Sequence, residues 1–271
     1  MPHMIYNKII MLISQQEIYM KITKIKDLSF NDGKPKICVP LMGPTEQDFL
    51  SDINYLNNMD VDFDFVEIRA DYFSLIYNTE EVIGLLKKIR ESYTKTLLFT
   101  FRTKKEGGMY DMSEENYFAL NHSVIESKLV DIIDIELFSS GDKIKEIVAY
   151  AHSNNVKIIM SNHEFSNTPP KEEIIKRLVK MQDYNADITK IVVMPNCEKD
   201  VLTLMEATLE MKTTIADRPF ITTSMGSLGV ITRLTGELFG SCVTFAALNK
   251  VSAPGQVDVR YAREILNKLS I

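Results

Sequence analysis

The stretch that decides the fold is VKIIMSNHEFSNTPPKEEIIKRLVKMQDYNADITKIVVM, residues 156–194. It begins with a short run rich in β-branched residues, Val156–Ser161. Pro169, Pro170 and a polar–apolar segment of helical period follow, and then comes a second such run, Ile188–Met194. Short apolar runs of this type predict buried strands, and proline is favoured in the first turn of a helix. The stretch therefore predicts a strand–helix–strand unit with parallel strands.

The same alternation recurs along most of the chain. Strands are predicted at Lys36–Leu41, Phe63–Arg69, Thr96–Arg102, Val130–Leu137, Val156–Ser161, Ile188–Met194, Pro219–Thr223 and Cys242–Ala247. Helices are predicted near 45–58, 79–93, 113–128, 141–153, 170–184, 197–212, 228–239 and 257–269. Eight alternations favour a closed (β/α)8 TIM barrel, because an open doubly wound sheet usually has fewer strands at this length. Residues 21–34, which end in Asn31-Asp32-Gly33, predict a β-hairpin that turns at Asp-Gly and covers the barrel floor.

The composition is that of a soluble globular protein with one large domain. The chain has 271 residues, 45% of them hydrophobic and 25% charged, and barrels commonly run to about 250 residues. Its cysteines, Cys38, Cys197 and Cys242, form no CxxC pair and are odd in number, which favours a reducing cytoplasm. The net charge of −6 and the absence of a basic stripe interleaved with aromatic residues indicate that the chain does not bind nucleic acid.

The first 20 residues differ from the rest. Their apolar run, Ile9–Ile13, is far shorter than the roughly 20 residues that cross a bilayer, so no membrane contact is expected. Gln15-Gln16-Glu17 follows, where a signal peptide would have a small-residue cleavage site. We expect residues 1–20 to be a non-native or poorly ordered extension, with Met20 as the true start, and residues 21–271 to form a single catalytic barrel domain.

Lys190 is the least expected residue in a predicted strand. It lies in Ile188–Met194, which reads as buried on both faces, and a buried ammonium group is costly unless it is paired or neutral. Burial and neighbouring cations favour the uncharged amine, which can attack a ketone. The alternative is a structural lysine whose head group reaches water.

His163 is one of four histidines, and it is the one placed just beyond the carboxyl end of a predicted strand. In barrels of this type the chemistry lies at that end, so the position suits acid–base catalysis near neutral pH. The alternative is a hydrogen-bonded structural histidine. No two histidines have the spacing of a ligand pair, so no metal site is predicted.

Charged residues collect at the same predicted end of the barrel. The carboxylates Glu67 and Glu106 lie near arginines in the sequence and could form rim ion pairs with them. There are nevertheless more arginines here than two carboxylates can pair with: Arg69, Arg102 and Arg233. Because arginine binds a planar carboxylate through two hydrogen bonds, the surplus predicts that one of them binds an acidic substrate. Two predicted loops lie at the same end of the barrel, with Gly107 and Gly108 after the third strand and residues 252–256 after the eighth. The second loop suits a lid over the substrate better than a phosphate site.

From Pro35 to Leu269 the chain resembles type I 3-dehydroquinate dehydratases. The resemblance rests on several motifs in the same order: Glu67-Ile68-Arg69-Ala70-Asp71-Tyr72-Phe73, Phe99-Thr100-Phe101-Arg102-Thr103, Glu106-Gly107-Gly108, Ser161-Asn162-His163, Lys190-Ile191-Val192-Val193-Met194-Pro195 and Ser252-Ala253-Pro254-Gly255-Gln256. The residues before Lys21 match nothing in the family.

The resemblance implies a role for each matched residue. Lys190 is the expected Schiff-base lysine, His163 the general acid/base and Glu106 the carboxylate that orients it. Arg233 is expected to bind the substrate carboxylate. The other expected substrate-binding residues are Glu67, Arg69, Arg102, Ser252 and Gln256.

The reaction that the resemblance implies is dehydration of 3-dehydroquinate in the shikimate pathway, by a cytoplasmic homodimer that uses no cofactor. A protonated imine next to the carbon that loses its proton acts as an electron sink, which makes the elimination feasible. Two alternatives remain open. One is an aldolase-like lyase, which would share the lysine but would usually need a phosphate site, and the other is a non-catalytic barrel that binds a small acid.

Overall fold

The computed structural model describes residues 20–270, so the prediction for residues 1–19 lies outside the described part of the chain. An antiparallel hairpin, β1 (Thr23–Ile25) and β2 (Leu28–Phe30), precedes a parallel eight-stranded sheet. The strands of that sheet are β3 (Lys36–Leu41), β4 (Phe65–Arg69), β5 (Leu97–Thr100), β6 (Ile132–Glu136), β7 (Lys157–Glu164), β8 (Ile188–Val193), β9 (Phe220–Ser224) and β10 (Val243–Phe245).

The eight-stranded sheet forms a barrel. Its order is β10-β3-β4-β5-β6-β7-β8-β9, and a parallel bridge between Phe220 and Ser241 brings β9 to the segment before β10. The Cys242 amide also donates to the Phe220 carbonyl at 2.9 Å. The predicted (β/α)8 barrel and all eight predicted strands are therefore confirmed.

Helices alternate with the strands around the barrel. They are α1 (Glu46–Asn58), α2 (Thr79–Ser92), α3 (Glu114–Ser127), α4 (Gly141–Ser153), α5 (Lys171–Asp183), α6 (Glu198–Glu210), α7 (Gly226–Leu234), α8 (Gly236–Phe239) and α9 (Val259–Lys268). Short 3-10 helices span Ala70–Tyr72 and Lys104–Glu106, and a π-helical turn spans Met211–Ile215. The single helix predicted near 228–239 is two helices, because the backbone leaves helical geometry at Thr235 (φ −108°, ψ 20°). None of the helices within residues 20–270 has the length and apolar character needed to span a bilayer.

The hairpin packs on the amino-terminal end of the barrel, as predicted, but its turn was predicted at the wrong place. Ile25 pairs with Leu28, so the turn is at Lys26-Asp27, where Lys26 adopts φ 52°. Asn31 and Gly33 have φ values of 69° and 133° and instead turn the chain from the hairpin into β3. The Asn31-Asp32-Gly33 motif therefore forms the turn between β2 and β3, and not the hairpin turn between β1 and β2 that was predicted for it.

The alternation of side chains along the strands separates the floor of the barrel from its mouth. Near the amino-terminal ends the inward residues are apolar, and they pack with the buried hairpin residues Ile25 and Phe30; they are Cys38, Phe65, Leu98, Ile132, Ile159, Ile188 and Ile221. Two positions further along several strands the inward residues are polar, and they are Glu67, Thr100, Asp134, Ser161, Lys190 and Thr223. Side chains two residues apart share a face of a strand. An apolar floor therefore excludes water beneath a polar layer that faces the carboxyl ends.

Candidate active site

One cavity at the carboxyl ends of the strands brings together all nine site residues predicted from the sequence. Its lining includes Glu67, Arg69, Arg102, Glu106, His163, Lys190, Arg233, Ser252 and Gln256. Further lining residues that the sequence analysis did not single out are Phe165, Val192, Thr223, Met225 and Phe245. The convergence follows from the topology, since parallel strands place all their carboxyl ends at one side of a barrel.

Lys190 is held inside the barrel by β8. It is 4% exposed, so the alternative of a structural lysine whose head group reaches water is wrong. Its Nζ lies 3.6 Å from Asp134 Oδ2 and 4.4 Å from the centre of the Phe245 ring. The amine is thus enclosed between a carboxylate and an aromatic face inside the barrel.

His163 lies within β7 and not beyond it, which corrects the predicted strand end. The strand continues to Glu164 because its pairing with β8 extends to the pair Glu164–Val193. His163 consequently shares the inward face of β7 with Ser161, which pairs with Lys190 on the neighbouring strand. The two residues expected to carry the chemistry therefore project from adjacent strands into the same cavity.

Glu106 holds the histidine at two points. Its Oε2 lies 3.0 Å from His163 Nδ1 and accepts from the His163 backbone amide at 2.9 Å. Asn162 Nδ2 donates to the other oxygen, Oε1, at 3.1 Å. Among residues 20–270, Nε2 of His163 has no hydrogen-bond partner, so a Nδ1–H tautomer would leave Nε2 free to exchange protons in the cavity.

Burial sets the protonation behaviour of this pair. It raises the pKa of Glu106 well above the usual carboxyl range, and the nearby carboxylate of Glu136 adds to the rise. Burial also lowers the pKa of His163, and the cations Arg102 and Lys190 lower it further. Both directions disfavour the ion pair between an ionised Glu106 and a protonated His163.

Arg102 organises the carboxylates behind the cavity. It lies 2.8 Å from Asp134 Oδ1, 2.9 Å from Glu136 Oε1 and 3.5 Å from Glu106 Oε2. It also donates to Ser161 Oγ at 2.9 Å. Burial opposes its charge, but the carboxylates raise the pKa of Arg102 above its usual value. Arg102 therefore lines the cavity as predicted, with most of its donors already used by the protein.

Asp134 and Glu136 of β6 were not among the site residues predicted from the sequence, but both lie behind the cavity as partners of Arg102. Asp134 Oδ1 accepts from Ser161 Oγ at 2.6 Å. Burial raises the pKa of Asp134, but Arg102 and Lys190 lower it by more, so the pKa lies below its usual value. The signal was present, because two acidic residues on the same face of a buried strand require cationic partners. The partners themselves are 32 or more positions away along the chain and could not be identified from spacing.

The other two arginines of the cavity differ from each other. Arg69 forms two hydrogen bonds with Asp71, from Nε at 2.8 Å and from Nη2 at 2.9 Å. Arg233, in α7, has no acidic partner among residues 20–270, and its one hydrogen bond in that part of the chain runs to the Pro254 carbonyl at 3.0 Å. Its Nε is buried and without a partner there, and burial lowers the pKa of Arg233 to about 10. An incoming carboxylate would supply the missing partner.

The loop after β10 borders the cavity. Gln256 Nε2 donates to Ser252 Oγ at 2.8 Å, and the Ser252 amide donates to Gln256 Oε1 at 2.8 Å. The loop rests on the start of α7, since the Gly226 amide donates to Pro254 at 3.1 Å. No group of three or more His, Cys, Asp or Glu side chains within residues 20–270 is arranged to hold a metal ion.

Comparison with known proteins places this cavity in a family. The family model of type I 3-dehydroquinase matches residues 37–271. The chain belongs to the type I 3-dehydroquinase family. The 3-dehydroquinate dehydratase of Clostridium novyi (strain NT) is 50% identical over 249 residues, which cover 92% of this chain and 98% of that protein. The enzyme of the same name from Escherichia coli O1:K1 / APEC is 51% identical over 251 residues, 92% of this chain and 99% of that one.

Solved structures support the same placement. The type I 3-dehydroquinate dehydratase of Clostridium difficile, determined with covalently modified comenic acid, is 44% identical and superposes with a TM-score of 0.88. The superposition covers 93% of this chain and 98% of that one. The resemblance stated from the sequence motifs is thereby confirmed at the level of family and fold.

Proposed function

We propose that the chain dehydrates 3-dehydroquinate to 3-dehydroshikimate through an imine on Lys190, with His163 as general acid and base. Membership of the type I 3-dehydroquinase family supports the reaction itself. The observation that carries the mechanism is a buried amine within the same cavity as the His163–Glu106 pair and Arg233, which has no acidic partner among residues 20–270. The covalently modified comenic acid in the related Clostridium difficile enzyme also supports a covalent route.

Arg233 provides the anchor for the substrate in this proposal. A carboxylate that enters the cavity neutralises a guanidinium that is buried and has no acidic partner among the described residues. Arginine binds a carboxylate through two parallel hydrogen bonds, which fixes orientation as well as position. The rest of the ring then faces the polar layer, where Glu67, Arg69 and Arg102 reach its hydroxyl groups.

Imine formation begins at Lys190. The buried amine must first lose a proton, because only the uncharged form is a nucleophile. It then adds to the ketone, and the carbinolamine hydroxyl takes up the proton that the amine had lost and leaves as water, which gives a protonated imine. The positive nitrogen draws electrons from the adjacent carbon and so acidifies its hydrogen.

His163 carries the proton transfers. Nε2 takes the proton from the carbon next to the imine carbon. The electron pair of that C–H bond forms a carbon–carbon double bond, and the π electrons of the C=N bond move to nitrogen to give an enamine. The enamine expels the hydroxyl group as His163 returns the proton to it, which releases water. A second water molecule then hydrolyses the imine, frees Lys190 and leaves a conjugated enone, so the net change is the loss of one water molecule.

The experiment that tests this proposal traps the imine. The protein is incubated with 3-dehydroquinate and borohydride, and mass spectrometry locates the reduced adduct while absorbance follows the conjugated enone. We expect an adduct on Lys190 and turnover without borohydride. Lys190→Met should lose both, and Lys87→Met, which changes an exposed lysine of α2, should keep both.

The alternatives give different results in the same assay. An aldolase-like lyase would form an adduct with other ketones and give no dehydration, and a non-catalytic barrel would give neither signal. Full dehydration by Lys190→Met would contradict the imine mechanism. Assembly as a homodimer and a cytoplasmic location stay predictions of the family resemblance.

A further inference from the structure

Arg177 lies on α5, outside the cavity, but two hydrogen bonds connect it to the carboxylate that holds His163. Arg177 Nη1 donates to Asn162 Oδ1 at 2.9 Å, and Asn162 Nδ2 donates to Glu106 Oε1 at 3.1 Å. The second oxygen of Glu106 contacts His163. Asn162 is 3% exposed, so water does not compete freely for its amide group.

The chain of contacts has a fixed direction because of the chemistry of its outer member. An arginine side chain has only hydrogen-bond donors, so the group of Asn162 that faces Arg177 must be the carbonyl oxygen. The amide nitrogen must then face Glu106. We propose that Arg177 is a positioning residue that fixes the orientation of the Asn162 amide, so that its N–H group donates to Glu106 and favours the carboxylate form that serves His163. This proposal rests on the acid–base role assigned to His163 above.

The guanidinium group is itself held firmly, which its role requires. Arg177 Nε donates to Glu173 Oε1 at 2.9 Å one turn away on α5, and Nη1 lies 3.7 Å from Glu164. Its guanidinium carbon lies 5.3 Å from the centre of the Phe138 ring. These contacts leave the Arg177 side chain 15% exposed. The donor is thus present at Asn162 without depending on the substrate.

The hydrogen bond from Asn162 matters because the other neighbours of Glu106 shift its pKa in opposite directions. Arg102 at 3.5 Å favours the ionised carboxylate, whereas burial and the carboxylates of Glu136 and Asp134 raise the pKa of Glu106. The hydrogen bond from Asn162 lowers it. Ionised Glu106 accepts from Nδ1–H and offsets the positive charge that His163 gains when Nε2 takes a proton.

Loss of Arg177 would release the amide. The carbonyl oxygen of Asn162 could then turn toward Glu106, and two facing oxygens favour a proton between them. Neutral Glu106 no longer offsets the charge on His163. The base-competent form would therefore appear only at higher pH, although neither Lys190 nor His163 has changed.

The test compares three variants by the pH dependence of kcat/KM. In Arg177→Met the inflection of the rising limb should move up by about one pH unit, the size expected for one lost hydrogen bond to a charged group. Arg177→Lys keeps a donor-only side chain and should restore part of the shift. Glu173→Gln is the matched control, because it removes the helix partner of the same guanidinium and leaves the bond to Asn162. Its inflection should equal that of the wild type.

A second measurement needs no turnover. The ring ¹⁵N signals of His163 in the ligand-free protein sense the ionisation of Glu106 through Nδ1, and they should show the same displaced inflection in Arg177→Met. An unchanged inflection in Arg177→Met, or an equal shift in Glu173→Gln, overturns the proposal. Failure of the proposed function would be visible separately, as absence of dehydration by the wild-type protein, and the ¹⁵N titration would still report on Arg177.

Discussion

Replacing Arg233 with methionine should make the ligand-free protein more stable. Arg233 is 4% exposed and has no acidic partner among residues 20–270, and burial lowers its pKa from 12.5 to about 10. At about 1.36 kcal/mol per pKa unit, the shift corresponds to a cost of roughly 3 kcal/mol for the charged form in the folded state. The hydrogen bond to Pro254 returns about 1 kcal/mol. Methionine keeps the apolar stem without the charge, so we expect a net gain of about 2 kcal/mol.

The assay is urea and thermal unfolding without ligand. For a chain of this size, about 2 kcal/mol raises Tm by roughly 4–8 °C. Because the folded pKa of Arg233 is lowered, its cost is fully present below about pH 10 and is relieved only as the pH rises toward the unfolded value. The gain should therefore be constant between about pH 6 and 9.

Two results would refute this reasoning. One is an Arg233→Met variant that is less stable than the wild type, and the other is an equal gain in Arg233→Lys, which keeps a buried charge. Arg233→Met should also bind 3-dehydroquinate at least tenfold more weakly, since a desolvated charge pair is typically worth about 2–5 kcal/mol. Greater stability with weaker binding is the expected combination, because the buried charge is retained for the ligand.

Three further predictions concern the Glu106–His163 pair, a loop and the barrel floor. Burial raises the pKa of Glu106, so kcat/KM should rise with pH through an inflection above the ordinary glutamate value near 4.3. Glu106→Gln should remove that inflection and lower the rate of turnover. Gly107→Ala should cost about 2 kcal/mol in a denaturation curve, because Gly107 has φ 87° and a Cβ would lie 2.3 Å from the Phe165 ring; a neutral result would contradict this. Asp187→Asn should lower stability at pH 7 by about 1–3 kcal/mol. Burial raises the pKa of Asp187, but hydrogen bonds from neighbouring groups lower it by more, so the folded state favours the charged form. That stabilisation is present above about pH 4 and is lost as the pH falls through the folded value, so the two unfolding curves should converge in acid.

Much of the fold could be predicted because it depends on local periodicity. β-branched runs such as Ile188–Val193 predict strands, and the intervening segments of helical period predict helices, from a handful of neighbouring residues. The hairpin turn was misplaced because both Lys26-Asp27 and Asp32-Gly33 have turn chemistry, and only packing of Ile25 and Phe30 on the floor selects between them. The end of β7 was missed because its last three residues, Asn162, His163 and Glu164, are polar, and they are strand only through pairing with β8.

The candidate site divides in the same way. The amino-acid sequence by itself determined which strands form, and it predicted that Lys190, His163 and three arginines lie at the carboxyl-terminal side of a barrel. Tertiary structure decided the partners: Arg102 with Asp134 and Glu136, and Lys190 with Asp134. The physical reason is distance along the chain. Periodicity encodes the direction of each side chain locally, whereas the neighbour that neutralises a buried charge is set by closure of the barrel and the register between strands.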